Sequence, residues 1–166
     1  MNVLCIAGMI FLMGFTAQAQ KFGYVNSTLI LSEHPGIKAA DSELEAYQKQ
    51  LIGKGESMVA SFEQKYKAYA EQAQAGTLSQ VQAQQKEQEL ATEQQTIQAY
   101  ELEMQNKLLL KREELYQPIL DKVNNVLSQM GDEGGYTMIF DSSTGGLLHA
   151  DDSNDLTEAL RAKLGM

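Results

Sequence analysis

The feature that most constrains this chain is a helical stripe that runs from Ile37 to Ala73 and restarts after a glycine. Apolar side chains recur along it at steps of three, four or seven, the period of one helix face. The stripe comprises Ile37, Ala40, Leu44, Tyr47, Leu51, Met58, Phe62, Tyr66, Tyr69 and Ala73. It stops at Ala75-Gly76, where glycine suits a left-handed cap, and Thr77 to Gln80 matches a capping box that opens a second helix. The sequence therefore predicts an antiparallel helical hairpin.

The second helix is predicted to run to about Met130. Its later half carries a coiled-coil seam, because apolar residues recur there at steps of seven, three and four. The seam comprises Leu102, Leu109, Tyr116, Ile119, Val123, Val126 and Met130. Helices of about 38 and 53 residues are about 60 and 80 Å long. A chain of this size cannot bury them in a globule, so the hairpin is expected to project as an arm.

The bend near Thr77 sets the register of the hairpin, with residue i level with residue 154 − i. The expected apolar pairs near the base are Leu44 with Leu109 and Leu110, and Leu51 with Leu102. Pro118 falls level with the start of the first helix, and proline inside a helix kinks it. We therefore expect residues 38–117 to form the arm, and residues 20–37 with 118–166 to form a β-body.

The distal half of the arm sets an aromatic stripe against polar residues. Phe62, Tyr66 and Tyr69 lie level with Thr92, Gln88 and Gln85 in this register. Two interpretations stay open: the rings pack on glutamine stems and on each other, or the stripe is available to other proteins.

Two glycines, Gly53 and Gly55, interrupt the interior of the first helix. Each costs up to about 1 kcal/mol against alanine. They are either simple weak points or a place where the arm flexes.

The two ends of the hairpin are expected to meet in a small body. Lys21 to Asn26 predicts a strand, and Ser27 to Leu31 reads as an apolar connection. Tyr136 to Phe140 predicts a second strand, with Leu147 to Ala150 pairing back as a hairpin. Ser153 to Asp155 cap a last helix, Leu156 to Leu164. Three short strands do not make a stable sheet alone, so several chains are expected to pool their strands.

The first nineteen residues predict a signal peptide. An apolar run from Val3 to Phe15 precedes Ala17-Gln18-Ala19, an A-x-A cleavage pattern. The run is short for a membrane span, although a retained anchor helix is the alternative and no Lys or Arg precedes the run. Cleavage after Ala19 removes Cys5, the only cysteine. The mature chain is therefore expected to lack thiols and stable membrane insertion.

Charge and motifs argue against several functions. A net charge of −9 disfavours nucleic-acid binding and docking on an anionic membrane. Only His34 and His149 are available as histidines, no G-x-S-x-G occurs, and Gly131 to Gly135 lacks the G-K-[ST] of a phosphate loop. Asp151 to Asp155 lacks the glycine and glutamate of a calcium loop. We therefore expect no enzyme activity, cofactor or metal.

The two ends of the mature chain carry a family resemblance. The chain resembles the Skp/OmpH-type periplasmic chaperones in the order of its segments. These segments are a signal peptide, Phe22 to Asn26, a Pro-Gly turn, a Gln/Lys/Glu-rich hairpin, Tyr136 to Asp141 and a last helix opened by Asp155 to Thr157. The resemblance covers almost all of the mature chain and is most specific at the two ends.

This resemblance implies an α+β, mostly helical fold in which three copies pool a β-body and extend helical arms around a cavity. The family holds unfolded outer-membrane proteins there without ATP. On this hypothesis the body residues are Phe22, Tyr24, Val25, Met138, Ile139 and Phe140. The candidate client contacts are Met58, Phe62, Tyr66 and Tyr69, and the candidate hinges are Pro118, Gly53 and Gly55. The alternative is an envelope coiled-coil adaptor with one fixed protein partner.

The charge of the arms departs from the family pattern. Well-known members are basic, whereas Lys38 to Met130 holds ten basic and fourteen acidic residues here. Apolar and hydrogen-bonding contacts, each weak and numerous, are therefore the expected holding force.

Overall fold

The predicted helical hairpin is confirmed in the computed structural model, which describes residues 20–166. Helix α2 spans Pro35–Gln74 and helix α3 spans Gln80–Gly134. The fold is mostly helical, with one small sheet of two strands at the open end of the hairpin. The predicted signal peptide, residues 1–19, lies outside the described residues.

The bend between α2 and α3 is built by glycine and a capping box. Gly76 has φ of 65°, the left-handed conformation that the sequence predicts for it. The box itself lies two residues later than predicted: Ser79 Oγ accepts from Gln82 N and Gln82 Oε1 accepts from Ser79 N. Thr77 instead donates its N–H and its hydroxyl to the Gln72 carbonyl. Thr77 thereby closes α2. The second T/S-x-x-Q match, Ser79 to Gln82, opens α3 instead.

The predicted apolar connection after the first strand is wrong, because this segment forms helix α1, Ser27–Glu33. Asn26 caps the helix by accepting a 2.9 Å hydrogen bond from Leu29 N at its Oδ1. Ile30, at the centre of α1, is fully buried. A helix of seven residues shows too little of the 3.6-residue period to be recognised from its sequence.

The sheet pairs strand β1, Lys21–Val25, with strand β2, Tyr136–Asp141, in parallel. The register sets Phe22 against Met138 and Tyr24 against Phe140. The predicted hairpin at residues 147–150 is wrong, since no regular structure forms between the 3-10 turns Ser142–Thr144 and Asp152–Asn154. After β2 the chain crosses instead to the far side of β1, where Leu156 N donates to the Tyr24 carbonyl at 2.8 Å.

The core lies under the sheet, where strand β1, helices α1 and α3 and helix α4, Thr157–Leu164, come together. Its buried members are Val25, Ile30, Val123, Met130, Leu156, Leu160 and Leu164. Gly23 permits this packing, because a Cβ there would lie 2.5 Å from Leu156 Cδ1. The predicted last helix is confirmed as α4, and it buries Leu160 and Leu164 in this core. Helix α3 continues through Pro118 into this core without a break.

His34 joins α1 to α2 through an imidazole that must be neutral. Its backbone N–H closes α1 on the Leu31 carbonyl, and its Nδ1 accepts a 3.0 Å hydrogen bond from Gly36 N at the start of α2. The ring is buried. Burial and, second, the nearby Lys122 ammonium lower the pKa of His34 below its ordinary value of 6.5.

Because the His34 imidazole caps α2 in its neutral form, the stability of the folded protein should depend on pH. The His34 imidazole binds a proton more readily in the unfolded state than in the folded state. Its contribution to the free energy of unfolding is therefore complete above about pH 6.5 and is lost as pH falls through the lowered pKa. His34→Asn keeps an acceptor that does not titrate. Urea unfolding at several pH values should show the wild type losing up to about 1–2 kcal/mol relative to this variant on acidification. Parallel pH curves for the two proteins would contradict this role.

Candidate functional site

An apolar face of the sheet points away from the core. Residues opposite each other in paired strands share a face, so the register places Phe22, Tyr24, Met138 and Phe140 together. Phe22, Met138 and Phe140 are 41%, 54% and 44% exposed, and the two phenylalanine rings lie 6.3 Å apart between centroids. Exposed apolar patches of this kind mark interaction surfaces. We call these four side chains the outer sheet face.

The other two predicted body residues lie on the opposite side of the sheet. Val25 belongs to the core and is 2% exposed, while Ile139 is half-buried and packs against the core. Alternation along the strands separates them from the outer sheet face. The six predicted body residues therefore divide into four on the exposed face and two that support the sheet from within.

The predicted seam of α3 is wrong along the middle of the hairpin. Leu102 and Leu109 are 66% and 65% exposed, and it is Tyr100 that is buried against α2. The Tyr100 hydroxyl donates to the Leu51 carbonyl at 2.9 Å. Leu51 therefore meets Tyr100 rather than Leu102, and Leu110 is exposed as well.

Charged side chains share the half-buried positions of α3 with apolar ones such as Ile97 and Met104. Several charged residues occupy half-buried positions of α3, where their stems can cover α2 while their charged ends reach water. Two of them pair across the hairpin: Lys111 Nζ lies 2.8 Å from Glu43 Oε1, and Lys65 Nζ lies 2.9 Å from Glu93 Oε1. The first is the pair that the predicted register gives. The Lys65 and Tyr100 contacts lie within four residues of it, so the register itself holds approximately.

An open groove separates α2 and α3 in the distal half of the hairpin, and we call it the distal groove. Met58 and Tyr69 of α2 line it opposite Leu90 of α3, together with Lys65 and Lys86. The Tyr69 hydroxyl donates to Glu87 Oε1 at 2.5 Å. Of the four predicted client contacts, the structure therefore brings Met58 and Tyr69 into one groove.

The other two predicted client contacts stack on each other along α2. The Phe62 and Tyr66 rings lie 6.2 Å apart with an interplanar angle of 22°. Phe62 is half-buried, whereas Tyr66 is 56% exposed. Ile52 and Val59, each 41% exposed, precede Tyr66 at steps of seven. This second stripe was missed, although its heptad spacing is visible in the sequence.

Of the two helix glycines, only Gly55 lies beside Tyr100. A Cβ on Gly55 would lie 3.4 Å from Tyr100 Cε1, whereas a Cβ on Gly53 would meet nothing within 4 Å. Ser57 Oγ donates to the Gly53 carbonyl at 2.8 Å. The Ser57 bond is made to the carbonyl four residues earlier in the same helix, and back-bonding of this type favours bending of a helix.

The strongest pKa shift belongs to a structural carboxylate. Burial raises the pKa of Asp141, but hydrogen bonds from Ser27 and Ser143 outweigh it and bring the value to about 2. The Ser27 hydroxyl lies 2.5 Å from Asp141 Oδ2, and Ser143 N lies 2.9 Å from Oδ1. The carboxylate thereby ties the end of β2 to the start of α1.

Within residues 20–166, no group of three or more His, Cys, Asp or Glu side chains is placed to hold a metal ion. In the same part of the chain, no helix is both long enough and apolar enough to cross a membrane.

These surfaces and this architecture define a class of protein: a long helical hairpin on a small base with one parallel strand pair. A sequence profile of the family described as "Outer membrane protein (OmpH-like)" matches residues 21–164, and the chain belongs to this family. The resemblance drawn from the sequence is thus confirmed.

A solved structure shows the same fold. It is a crystal structure from Caulobacter crescentus CB15, described as a candidate outer membrane chaperone (OmpH-like), with a TM-score of 0.74 and 16% sequence identity. The match covers 88% of this chain and 84% of that one. No curated protein sequence matches this chain.

The corrected seam predicts which side chain of α3 stabilises the hairpin. Tyr100→Phe removes the hydrogen bond to the Leu51 carbonyl and should lower the free energy of unfolding by about 0.5–1.5 kcal/mol. Leu102→Gln is the control and should change it by less than about 0.5 kcal/mol, because that side chain is exposed. Urea unfolding followed by circular dichroism measures both. A larger loss of unfolding free energy for Leu102→Gln than for Tyr100→Phe would contradict this assignment and support the seam through Leu102 that the sequence predicts.

Proposed function

We propose that this protein is an ATP-independent holdase of the periplasm that encloses unfolded outer-membrane proteins between helical arms. The observation that carries the proposal is the distal groove, an open space between two long helices with exposed apolar side chains beside it. Membership of the OmpH-like family and a fold shared with a candidate outer membrane chaperone support it. Residues 1–19 would direct export as a signal peptide, cleaved after Ala19.

The proposed client contacts are Met58, Phe62, Tyr66 and Tyr69. An outer-membrane strand alternates apolar and polar residues and aggregates while its edges are unpaired. The stacked pair Phe62 and Tyr66 offers apolar surface, while Tyr69 and Lys65 add polar groups at the groove. Several weak contacts of this kind hold a segment without fixing it. Release needs no fuel, because folding into the membrane is downhill.

We propose that three copies join through the body, formed by residues 20–37 with 118–166, and that residues 38–117 project as the arm. The outer sheet face supplies the apolar surface for this contact. Val25 and Ile139 support it from the core side. A two-stranded sheet with such a face gains most when another copy covers it.

Charge plays a small part in the proposed holding force. Six basic side chains of the described chain already pair with carboxylates: Lys49, Lys65, Lys107, Lys111, Arg161 and Lys163. Exposed pairs of this type contribute little free energy, and Lys38 to Met130 holds fourteen acidic against ten basic residues, so net charge does not attract an acidic client or lipid to the arm. Apolar contact is therefore the main contribution to the proposed holding of clients.

Changing the four proposed contacts tests the function. The variant Met58→Ser, Phe62→Ser, Tyr66→Ser and Tyr69→Ser should need roughly tenfold more protein to suppress aggregation of an unfolded β-barrel protein by half, since it loses several weak contacts. Light scattering of the diluted client, without nucleotide, is the measurement. Circular dichroism establishes that the variant keeps its helices.

A matched control removes apolar surface elsewhere. Leu102→Ser with Leu109→Ser lies outside the distal groove and should leave the suppression unchanged. Equal losses in both variants would refute the assignment of the contacts. A wild-type protein that gives no protection but binds a folded protein saturably would favour the fixed-partner adaptor.

We further propose that the arm bends at Gly53 and Gly55 and, nearer the base, at Pro118. Helix interiors bend where backbone bonds are weakened or a proline interrupts them. The hydroxyls of Tyr100 and Ser57 can keep the nearby carbonyls bonded during such a bend. Bending would let one arm follow clients of different sizes.

Distances along α2 test the glycine hinge. Residues 20–166 contain no cysteine, so spin labels at Ser42→Cys and Ala70→Cys report only these two positions when labelled chains are diluted with an excess of unlabelled chains. Gly53→Ala with Gly55→Ala should narrow the distance distribution, which should centre near about 42 Å for a straight helix. Pro118→Ala lies outside the labelled stretch and is the control. An unchanged width would show that the glycines are simple weak points.

A further inference from the structure

The distal groove has the length of a short extended peptide. Its walls run from Met58 to Tyr69 on α2 and from Gln85 to Thr96 on α3, and each wall is about 17 Å long along its helix axis. An extended chain rises about 3.3 Å per residue. About five extended residues therefore fill the groove lengthwise, which is about half of a strand that spans a membrane.

A row of polar side chains follows the groove along α3. Gln85, Gln88, Thr92 and Thr96 recur at steps of three and four, so they share one helix face, and all four are exposed. The Thr92 and Thr96 hydroxyls donate to the carbonyls of Gln88 and Thr92, at 2.8 and 2.9 Å, and keep their oxygens as acceptors. The glutamine amides both donate and accept. The row is therefore suited to bond the unpaired N–H and C=O groups along the edge of an extended backbone.

Apolar side chains lie beside this polar row. Met58, Ala68 and Tyr69 line the groove from α2, and Leu90 lines it from α3. Met58, Tyr69 and Leu90 are half-buried, so part of each side chain stays open to the groove. The groove thus combines hydrogen-bonding groups with apolar surface. This combination matches a segment whose side chains alternate between apolar and polar, as they do in an outer-membrane strand.

The charges that line the groove cancel. Two lysines, Lys65 and Lys86, and two glutamates, Glu89 and Glu93, belong to its walls. Lys65 Nζ lies 2.9 Å from Glu93 Oε1, and this pair joins the two walls part-way along the groove. A charged side chain that enters the groove loses water and finds no excess of opposite charge there. The groove therefore favours an uncharged segment.

We infer that the distal groove of a single arm binds one short, uncharged, extended segment of an unfolded outer-membrane strand. The inference rests on the proposed holdase function and specifies where a client lies and in what conformation. The segment runs lengthwise between α2 and α3, with its backbone edge on the polar row and its apolar side chains on Met58, Tyr69 and Leu90. Each arm binds its own segment, so a long client is held by several weak sites at once.

Photocrosslinking locates the client on the arm. The photoreactive amino acid p-benzoylphenylalanine replaces Gln88 or Leu90, which both line the groove, and the protein is irradiated with an unfolded β-barrel protein. Replacement of Leu102 is the matched control, because that apolar side chain is 66% exposed but lies outside the groove. The groove positions should give roughly fivefold more crosslinked client than Leu102. Equal yields at the three positions, or a higher yield at Leu102, would overturn the inference.

Synthetic peptides test the chemistry of the bound segment. A seven-residue peptide with blocked ends alternates valine or tyrosine with serine, and two variants carry lysine or glutamate at the serine positions. Fluorescence anisotropy at physiological ionic strength, which screens the net charge of the chain, should give the uncharged peptide roughly tenfold tighter binding than either variant. A charged peptide that binds as tightly as the uncharged one would contradict the assignment.

Variants of the protein show whether the peptide occupies the groove. Leu90→Ser should weaken binding of the uncharged peptide about threefold. Gln88→Ala, which changes only an exposed side chain, should weaken it as well, whereas Leu102→Ser should leave it unchanged. Circular dichroism establishes that each variant keeps its helices. Unchanged binding by both groove variants would place the peptide elsewhere and refute the inference.

The outcomes separate this inference from the proposed function. A wild type that suppresses aggregation but crosslinks its client equally at Leu102 keeps the holdase role and loses the groove. A wild type that binds the uncharged peptide through Leu90 but suppresses no aggregation keeps the groove and loses the holdase role.

Discussion

The parallel pairing of β1 with β2 is the interaction on which the rest of the structure depends. The two strands lie more than a hundred residues apart in sequence, and closing so long a loop costs conformational entropy. The hairpin between them reduces that cost, because Gly76 and the Ser79 capping box form a local bend that reverses the direction of the chain. Once α2 and α3 lie side by side, β1 and β2 are neighbours. The arm is thus also the connection that makes the sheet possible.

Dispersed polar contacts join the two helices along this hairpin. Tyr100 on Leu51 and the ion pairs of Lys111 and Lys65 with opposing carboxylates each join the helices at one point. Exposed ion pairs contribute little, so the arm relies on its anchored base for stability. The proposed bending of the arm would leave the core around Ile30 and Leu160 intact, because that core lies at the base of the hairpin.

Elements whose apolar pattern continues over many residues, or whose ends carry strong capping signals, could be predicted from the sequence. The stripe of α2, the left-handed cap at Gly76 and the two strands fall where the pattern placed them, because these depend on local conformation. The seam through Leu102 was wrong, because a different apolar row, Leu90, Ile97 and Met104, occupies half-buried positions of α3 together with several charged residues. Helix α1 was missed because seven residues carry too little periodicity, and the capping box was displaced because two overlapping T/S-x-x-Q matches compete.

The candidate surfaces were less predictable than the helices. The pattern named Phe22, Met138 and Phe140 as apolar, but only the parallel register places them on one face with Tyr24. Likewise Met58 and Tyr69 share a groove because the distal helices stand apart there. Such placements depend on tertiary geometry, which a single sequence states only indirectly.

The failed prediction of a hairpin after β2 has the same physical origin as the open edge of the sheet. A hairpin would have paired residues 147–150 with β2 and satisfied that edge within one chain. The core prevents this, because Leu156, Leu160 and Leu164 must pack under β1, and they draw the chain across to its far side. Burying three leucines outweighs a few exposed strand bonds, since each buried leucine contributes about 1.5–3 kcal/mol and a net hydrogen bond about 1 kcal/mol. The single chain therefore gains its core at the expense of its sheet, and within residues 20–166 the outer edge of β2 keeps no strand partner.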